Sequence, residues 1–137
     1  MKRFVPALLL AAALLPGAGC VSGPYASLGE ARPGVPEAQA TVVLMDEPVQ
    51  VSVTSVGDRG ELLPDGRLRA TARLKNREGR RLQVQVQGVF KDEQGFSTGD
   101  ETPWQTLILT EYATESVSFD SVNTRARTYV IRVREAR

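Results

Sequence analysis

No histidine occurs anywhere in the chain. That absence excludes imidazole base catalysis, Ser-His-Asp triads and histidine-ligated metal sites. Cysteine occurs once, as Cys20, so no disulfide within the chain can staple the fold and hydrophobic burial has to stabilise it alone. Charge of one sign is not in excess, with 17 basic residues against 16 acidic ones, and nothing points to a nucleic-acid partner. A glycine-rich phosphate loop is missing too. The stretch Gly57-Asp58-Arg59-Gly60 lacks the spacing and the following lysine of a nucleotide cradle and is read as a turn. No serine sits in a nucleophile elbow, and a serine–lysine dyad would need Lys75 or Lys91, both placed at strand ends that face water. The sequence therefore predicts a protein that is not an enzyme and that carries no cofactor or metal.

What is present begins with the leader. Met1, Lys2 and Arg3 give a positive start, and Phe4 to Leu15 form an apolar run broken by Pro6 and ended by Pro16. Small residues Gly17, Ala18 and Gly19 then precede Cys20. The run is shorter than the ~20 residues that span a bilayer, so a transmembrane helix is disfavoured. The layout resembles the signal of a bacterial lipoprotein, with Gly17 where leucine is usual. It predicts a signal peptide over residues 1–19 and a lipid thioether on Cys20. The alternative is an ordinary secretory signal cleaved near Ala18 or Gly19, which would leave a free thiol. Several acyl chains, each methylene contributing about 0.8 kcal/mol, would hold the protein on its membrane essentially permanently. Val21 after the cysteine, by its resemblance to lipoprotein sorting rules, implies a lipid-anchored outer-membrane location facing the periplasm.

Residues 20–40 mix Pro24, Pro33 and Pro36 with glycines and alanines, and have too little apolar surface to offset chain entropy. A flexible tether is expected there. Residues 41–137 then carry a period of two and no convincing amphipathic helix. Val49, Val51 and Val53 alternate with polar residues, as do Leu68, Ala70, Ala72 and Leu74, and Leu82, Val84 and Val86. At Gly88 and Val89 the phase is disturbed, suggesting a bulge or bend. Val117 and Phe119, and Tyr129, Ile131 and Val133, complete the alternating set. Thr41 to Met45 is a further strand candidate, and Trp104 to Leu109 is read as a strand apolar on both faces. Turns are expected at Pro64-Asp65-Gly66, at Asn76 to Gly79 as a hairpin loop, at Asp92 to Gly95, and over Thr98 to Pro103. About seven short strands, each with one greasy face, must bury those faces against each other. The fold class is all-β: a single antiparallel, immunoglobulin-like β-sandwich, with an open barrel as runner-up.

The run from Gly66 to Asn76, then Val84 to Phe96 with its Asp92 and Gly95 turn, then Pro103-Trp104, resembles the YcfL-like lipoproteins, small envelope proteins of unassigned function. The resemblance covers roughly Val49 to Val133, and Lys91 stands where many relatives have an aromatic residue. It implies a cell-envelope role near the lipoprotein activators of penicillin-binding proteins, by analogy only.

Two constellations of side chains are candidate sites. Asp92 and Glu93, Asp100 and Glu101, and Asp46 and Glu47 are adjacent acidic pairs, read as solvated turn residues in preference to a loop calcium site. The other constellation is basic. Arg67, Arg69, Arg73 and Lys75 share one strand face, and Gln83, Gln85 and Gln87 line the polar face of the next strand, with Arg132 and Arg134 as possible additions. If these strands pair, the sheet face would grip oxyanions of peptidoglycan, lipid phosphates or an acidic protein. The plainer reading is a wet sheet face whose cations prevent edge aggregation. Trp104 and Phe90 are read as core anchors. The function expected is that of a membrane-anchored accessory or scaffold binding module, with an envelope protein or peptidoglycan as partner. An inhibitor or adhesin-type module, marked by a protruding Thr98 to Pro103 loop, is the alternative.

Overall fold

The computed structural model describes Tyr25–Ala26 and residues 41–136. Nine elements follow one another: β1 (Tyr25–Ala26), β2 (Val42–Leu44), α1 (Glu47–Ser52), β3 (Val53–Leu62), β4 (Leu68–Asn76), β5 (Leu82–Lys91), β6 (Gln105–Leu109), β7 (Thr114–Asp120) and β8 (Thr128–Glu135). They form a sandwich of two sheets, one ordered β1-β2-β8-β5-β6 and the other β3-β4-β7. Alternation puts one apolar row of each strand between the layers, where Leu44, Val53, Leu74, Val86, Phe90, Leu109, Ile131 and Val133 are fully buried. Tyr25–Ala26 fall within the stretch expected to be tether, yet they pair with β2, Tyr25 opposite Leu44 and Ala26 opposite Val43.

Several sequence expectations are corrected. The sandwich is not wholly antiparallel, because β2 runs parallel to β8. β2 leads through α1 into the other sheet, so its sheet neighbour is supplied from the far end of the chain. The Val49/Val51/Val53 alternation does not make a strand. Glu47–Ser52 is helical, with Pro48 in the first turn where its missing N–H costs nothing, and Val49 and Ser52, three apart, buried on one side. Val51 is 62% exposed. Gly57 to Gly60 is strand, not turn: β3 carries its bulge between Ser55 and Gly57, and Gly57 takes φ 149° there.

No bulge occurs at Gly88. The β5–β8 ladder runs unbroken from Val84 opposite Glu135 to Lys91 opposite Thr128. Gly88 occupies an inward position where a Cβ would lie 2.8 Å from Cβ and Cγ of Phe119, so the missing side chain is replaced by that ring. Trp104 to Leu109 is not apolar on both faces, since β6 is an edge strand in which Leu109 is buried while Ile108 is 42% exposed. Nor is Asn76 to Gly79 a hairpin loop, for it carries the chain from one sheet to the other. Fully buried Asn76 locks that crossing: its Nδ2 donates to the carbonyls of Arg80 (2.7 Å), Thr110 (2.9 Å) and Leu109 (3.3 Å), and its Oδ1 accepts from the Glu78 N–H (2.8 Å).

Candidate functional site

The strongly alternating β4 turns Leu68, Ala70, Ala72 and Leu74 inward, so Arg69, Thr71, Arg73 and Lys75 point out from the three-stranded sheet. Two of the four predicted cations in this region are spent internally. Arg69 forms a two-point contact with Asp120 of β7, Nε to Oδ1 at 2.7 Å and Nη2 to Oδ2 at 2.8 Å. This hydrogen bonding holds Asp120 below its ordinary carboxyl range and Arg69 above its own. Arg67 lies in the turn before β4, where its Nε meets Asp65 at 2.7 Å and keeps that carboxyl low.

Gln83, Gln85 and Gln87 are elsewhere. β4 pairs with β3 and β7, whereas β5 pairs with β6 and β8, so the composite Arg/Gln face expected from β4 and β5 does not exist. Their apolar rows face each other across the core, and their polar rows therefore face away from each other. Gln85 and Gln87 do meet Arg134 and Arg132. In the β5–β8 register Gln85 is opposite Arg134 and Gln87 opposite Arg132. Arg134 Nε donates to Gln85 Oε1 at 2.9 Å, Arg132 Nη1 reaches Gln87 Oε1 at 3.5 Å, and Gln87 Nε2 donates to the Thr102 carbonyl at 3.0 Å. The Arg134 guanidinium also lies over the Trp104 ring, 3.9 Å from its centroid. Trp104 is half-buried at the start of the edge strand and is not the core anchor expected of it, whereas Phe90 is.

The acidic pairs divide by neighbour. Asp92 Oδ1 accepts from the N–H groups of Gln94 (2.9 Å) and Phe96 (3.0 Å) and shapes its own turn. Asp100 ties two loops together, accepting from the Thr98 hydroxyl and from the N–H groups of Val122 (2.8 Å) and Asn123 (3.2 Å). Partial burial opposes its ionisation, and the Thr98 hydroxyl and the two N–H groups overcome this and hold its carboxyl low. Among the described residues no three Asp, Glu, Cys or His side chains converge on a possible metal position.

Sequence reasoning missed a polar link through the core. Tyr129 on β8 donates its hydroxyl to Asp58 Oδ2 on β3 at 2.6 Å, joining the two sheets, and burial first and the carboxylate second push its phenol well above the ordinary range. The tyrosine was legible only as an inward strand residue. A shallow cleft of about 440 Å³ opens between the β6 and β7 edges, but its charged lining is the Arg69–Asp120 pair, whose members satisfy each other. Cys20 lies outside the described residues, among which no helix is long and apolar enough to cross a membrane.

Fold and surface together define a two-sheet β-sandwich whose described polar chemistry sits on sheet faces and loop ends. The chain belongs to the DUF1425 family, proteins of unknown function, whose family model matches residues 41–135. No curated protein matches it. Two solved structures are similar. A DUF1425 family member from Shewanella sp. pv-4 shares 27% identity with a TM-score of 0.52, covering 62% of this chain and 77% of that one. Campylobacter jejuni cj0090 shares the fold with a TM-score of 0.57 at 16% identity, covering 72% of this chain and all of that one.

Proposed function

We propose that this protein is a lipid-anchored, non-enzymatic accessory module of the cell envelope, held at the outer membrane through Cys20 and facing the periplasm. It binds an oxyanion-bearing envelope component through the outer face of the five-stranded sheet. The observation that carries this reading is the state of Arg132 and Arg134. Their partners among the described residues are neutral, two glutamine amides and an indole, which orient the guanidiniums without cancelling their charge. The best-bonded carboxylates, Asp65, Asp100 and Asp120, are each committed to a turn, a loop clamp or a cross-strand pair. The resemblance to YcfL-like lipoproteins supports the envelope setting, including a neighbourhood of cell-wall synthesis proteins.

Cross-linking in living cells with a tagged full-length chain tests it. Globomycin should accumulate a precursor, and Arg132→Ser with Arg134→Ser should remove the cross-linked envelope component while the melting temperature stays within a few degrees, about the effect of a surface change. Unchanged cross-links, or a mature chain without lipid mass, would refute the proposal. The inhibitor or adhesin reading draws on one separate observation. The loops meeting at one end, where Asp100 binds the Val122 and Asn123 N–H groups, carry Phe96 and Val122 at 70% and 80% exposure. Cross-links mapping to that end would favour it.

A further inference from the structure

We infer that the outer face of the five-stranded sheet lies against an anionic phospholipid leaflet, with Arg132 and Arg134 taking headgroup phosphates and Trp104 and Ile108 at the interface. The inference deepens the proposed function and rests on its lipid anchor at Cys20.

Charge is the first argument. The outward positions of this sheet carry Lys91 on β5 and Arg132 and Arg134 on β8, and no acidic side chain occupies an outward register position of β2, β5, β6 or β8. Glu135 is in the inward phase, opposite Val84 at the end of the ladder. The two arginines sit two residues apart on one face, about 7 Å along the strand. Arg134 lies over the Trp104 ring with its Nε engaged by Gln85, so its terminal N–H groups remain available for a phosphate.

Surface composition is the second. On the same face the edge strand presents Ile108, 42% exposed, in the same outward row as Thr106, which is level with Gln85 and Arg134. An indole, an aliphatic side chain and guanidiniums on one sheet face are the chemistry of the headgroup boundary, where aromatic rings and long cationic side chains are both favoured.

Attachment is the third. Only four residues, Val21 to Pro24, separate Cys20 from β1. Five Cα steps reach at most about 18 Å, whereas five strands are about 19 Å across. β1 is an edge of this same sheet, and through β2 its Tyr25 is level with Val133, between the two arginines. A domain leashed so closely at one sheet edge meets the leaflet continually, at high effective concentration, so individually weak phosphate contacts suffice to settle it on a face. On the opposite face Arg69 is neutralised by Asp120, while the exposed Arg73 and Lys75, in no ion pair among the described residues, provide the control for unpaired charge alone.

Trp104 is the sole tryptophan and reports directly on this surface. The mature acylated chain is reconstituted at low density in vesicles of phosphatidylcholine alone or mixed with phosphatidylglycerol. Expected are a blue shift of tryptophan emission and quenching by brominated acyl chains on the phosphatidylglycerol vesicles, both reversed by high salt. Arg132→Glu with Arg134→Glu should weaken the quenching about tenfold, since each cation near an anionic surface contributes separately, while Arg73→Glu with Lys75→Glu leaves it unchanged. Identical emission on both vesicle types, with the acylated chain retained on them, overturns the inference and leaves the anchor standing. A shift produced by soluble polyglutamate and not by phosphatidylglycerol overturns it in favour of an acidic protein. A chain that lacks acyl mass on Cys20 and washes off the vesicles removes the anchor, and the inference with it.

Discussion

The two outer faces of the sandwich are both basic in sequence and differ in what their cations touch. On the three-stranded sheet Arg69 meets Asp120 across the β4–β7 ladder and Arg67 meets Asp65 in the preceding turn, while Arg73 and Lys75 are exposed with no side chain orienting them among the described residues. On the five-stranded sheet Arg132 and Arg134 meet Gln87, Gln85 and Trp104. A carboxylate cancels a guanidinium, whereas an amide or an indole positions it and leaves its charge. Arginine count is therefore a poor guide to an anion site, and the identity of the cross-strand neighbour is a good one.

The contrast can be broken at its root through Asn76, which locks the crossing that sends β4 and β5 to opposite layers. Asn76→Ala removes the donors to three carbonyls and the acceptor for the Glu78 N–H. It should cost about 3 kcal/mol and lower the melting temperature by about 15 °C, measured by calorimetry. A loss below about 1 kcal/mol would show that the crossing does not depend on this side chain.

The contrast can next be erased from the other side. Asp65→Asn with Asp120→Asn frees Arg67 and Arg69 and should make the three-stranded face attract anions more strongly, read as increased co-sedimentation with phosphatidylglycerol vesicles. These solvent-screened pairs contribute little to stability, so folding should persist. The same variant has a pH signature. Because the Asp120 carboxyl is lowered in the folded state, its contribution is present above the unfolded value of about 3.9 and is lost as pH falls through the folded one. The variant should therefore lose less stability than the parent on acidification, and parallel acid-unfolding curves would count against the pairing.

The smallest effect concerns the link between the layers. Tyr129 has its phenol raised in the folded state, so its contribution is intact below the unfolded value of about 10 and is lost as pH rises beyond it. Tyr129→Phe should cost about 1 kcal/mol at neutral pH and flatten the decline in stability above pH ~10, followed by urea unfolding. An unchanged alkaline decline would place the titrating group elsewhere.

Much of the architecture was legible because a period of two in an apolar pattern leaves few choices: β4, β5, β7 and β8 all lie where alternation put them. The failures have local causes. Pro48 at a helix start outranked the valine alternation around Val49, and Gly88, taken for a phase break, kept the phase and yielded its space to Phe119. Site residues were legible as types and not as neighbours. Arg134 and Gln85 are 49 positions apart, and only the β5–β8 register makes them a pair.

By itself the sequence determined a β-rich domain and a single cysteine, without imidazole, internal disulfide or phosphate loop, because those follow from composition and periodicity. Tertiary structure alone decided which strands became neighbours, and so which arginines were neutralised and which were presented. Side-chain alternation sets the face a residue takes within its strand, while the partner across the ladder is chosen by packing over the whole chain.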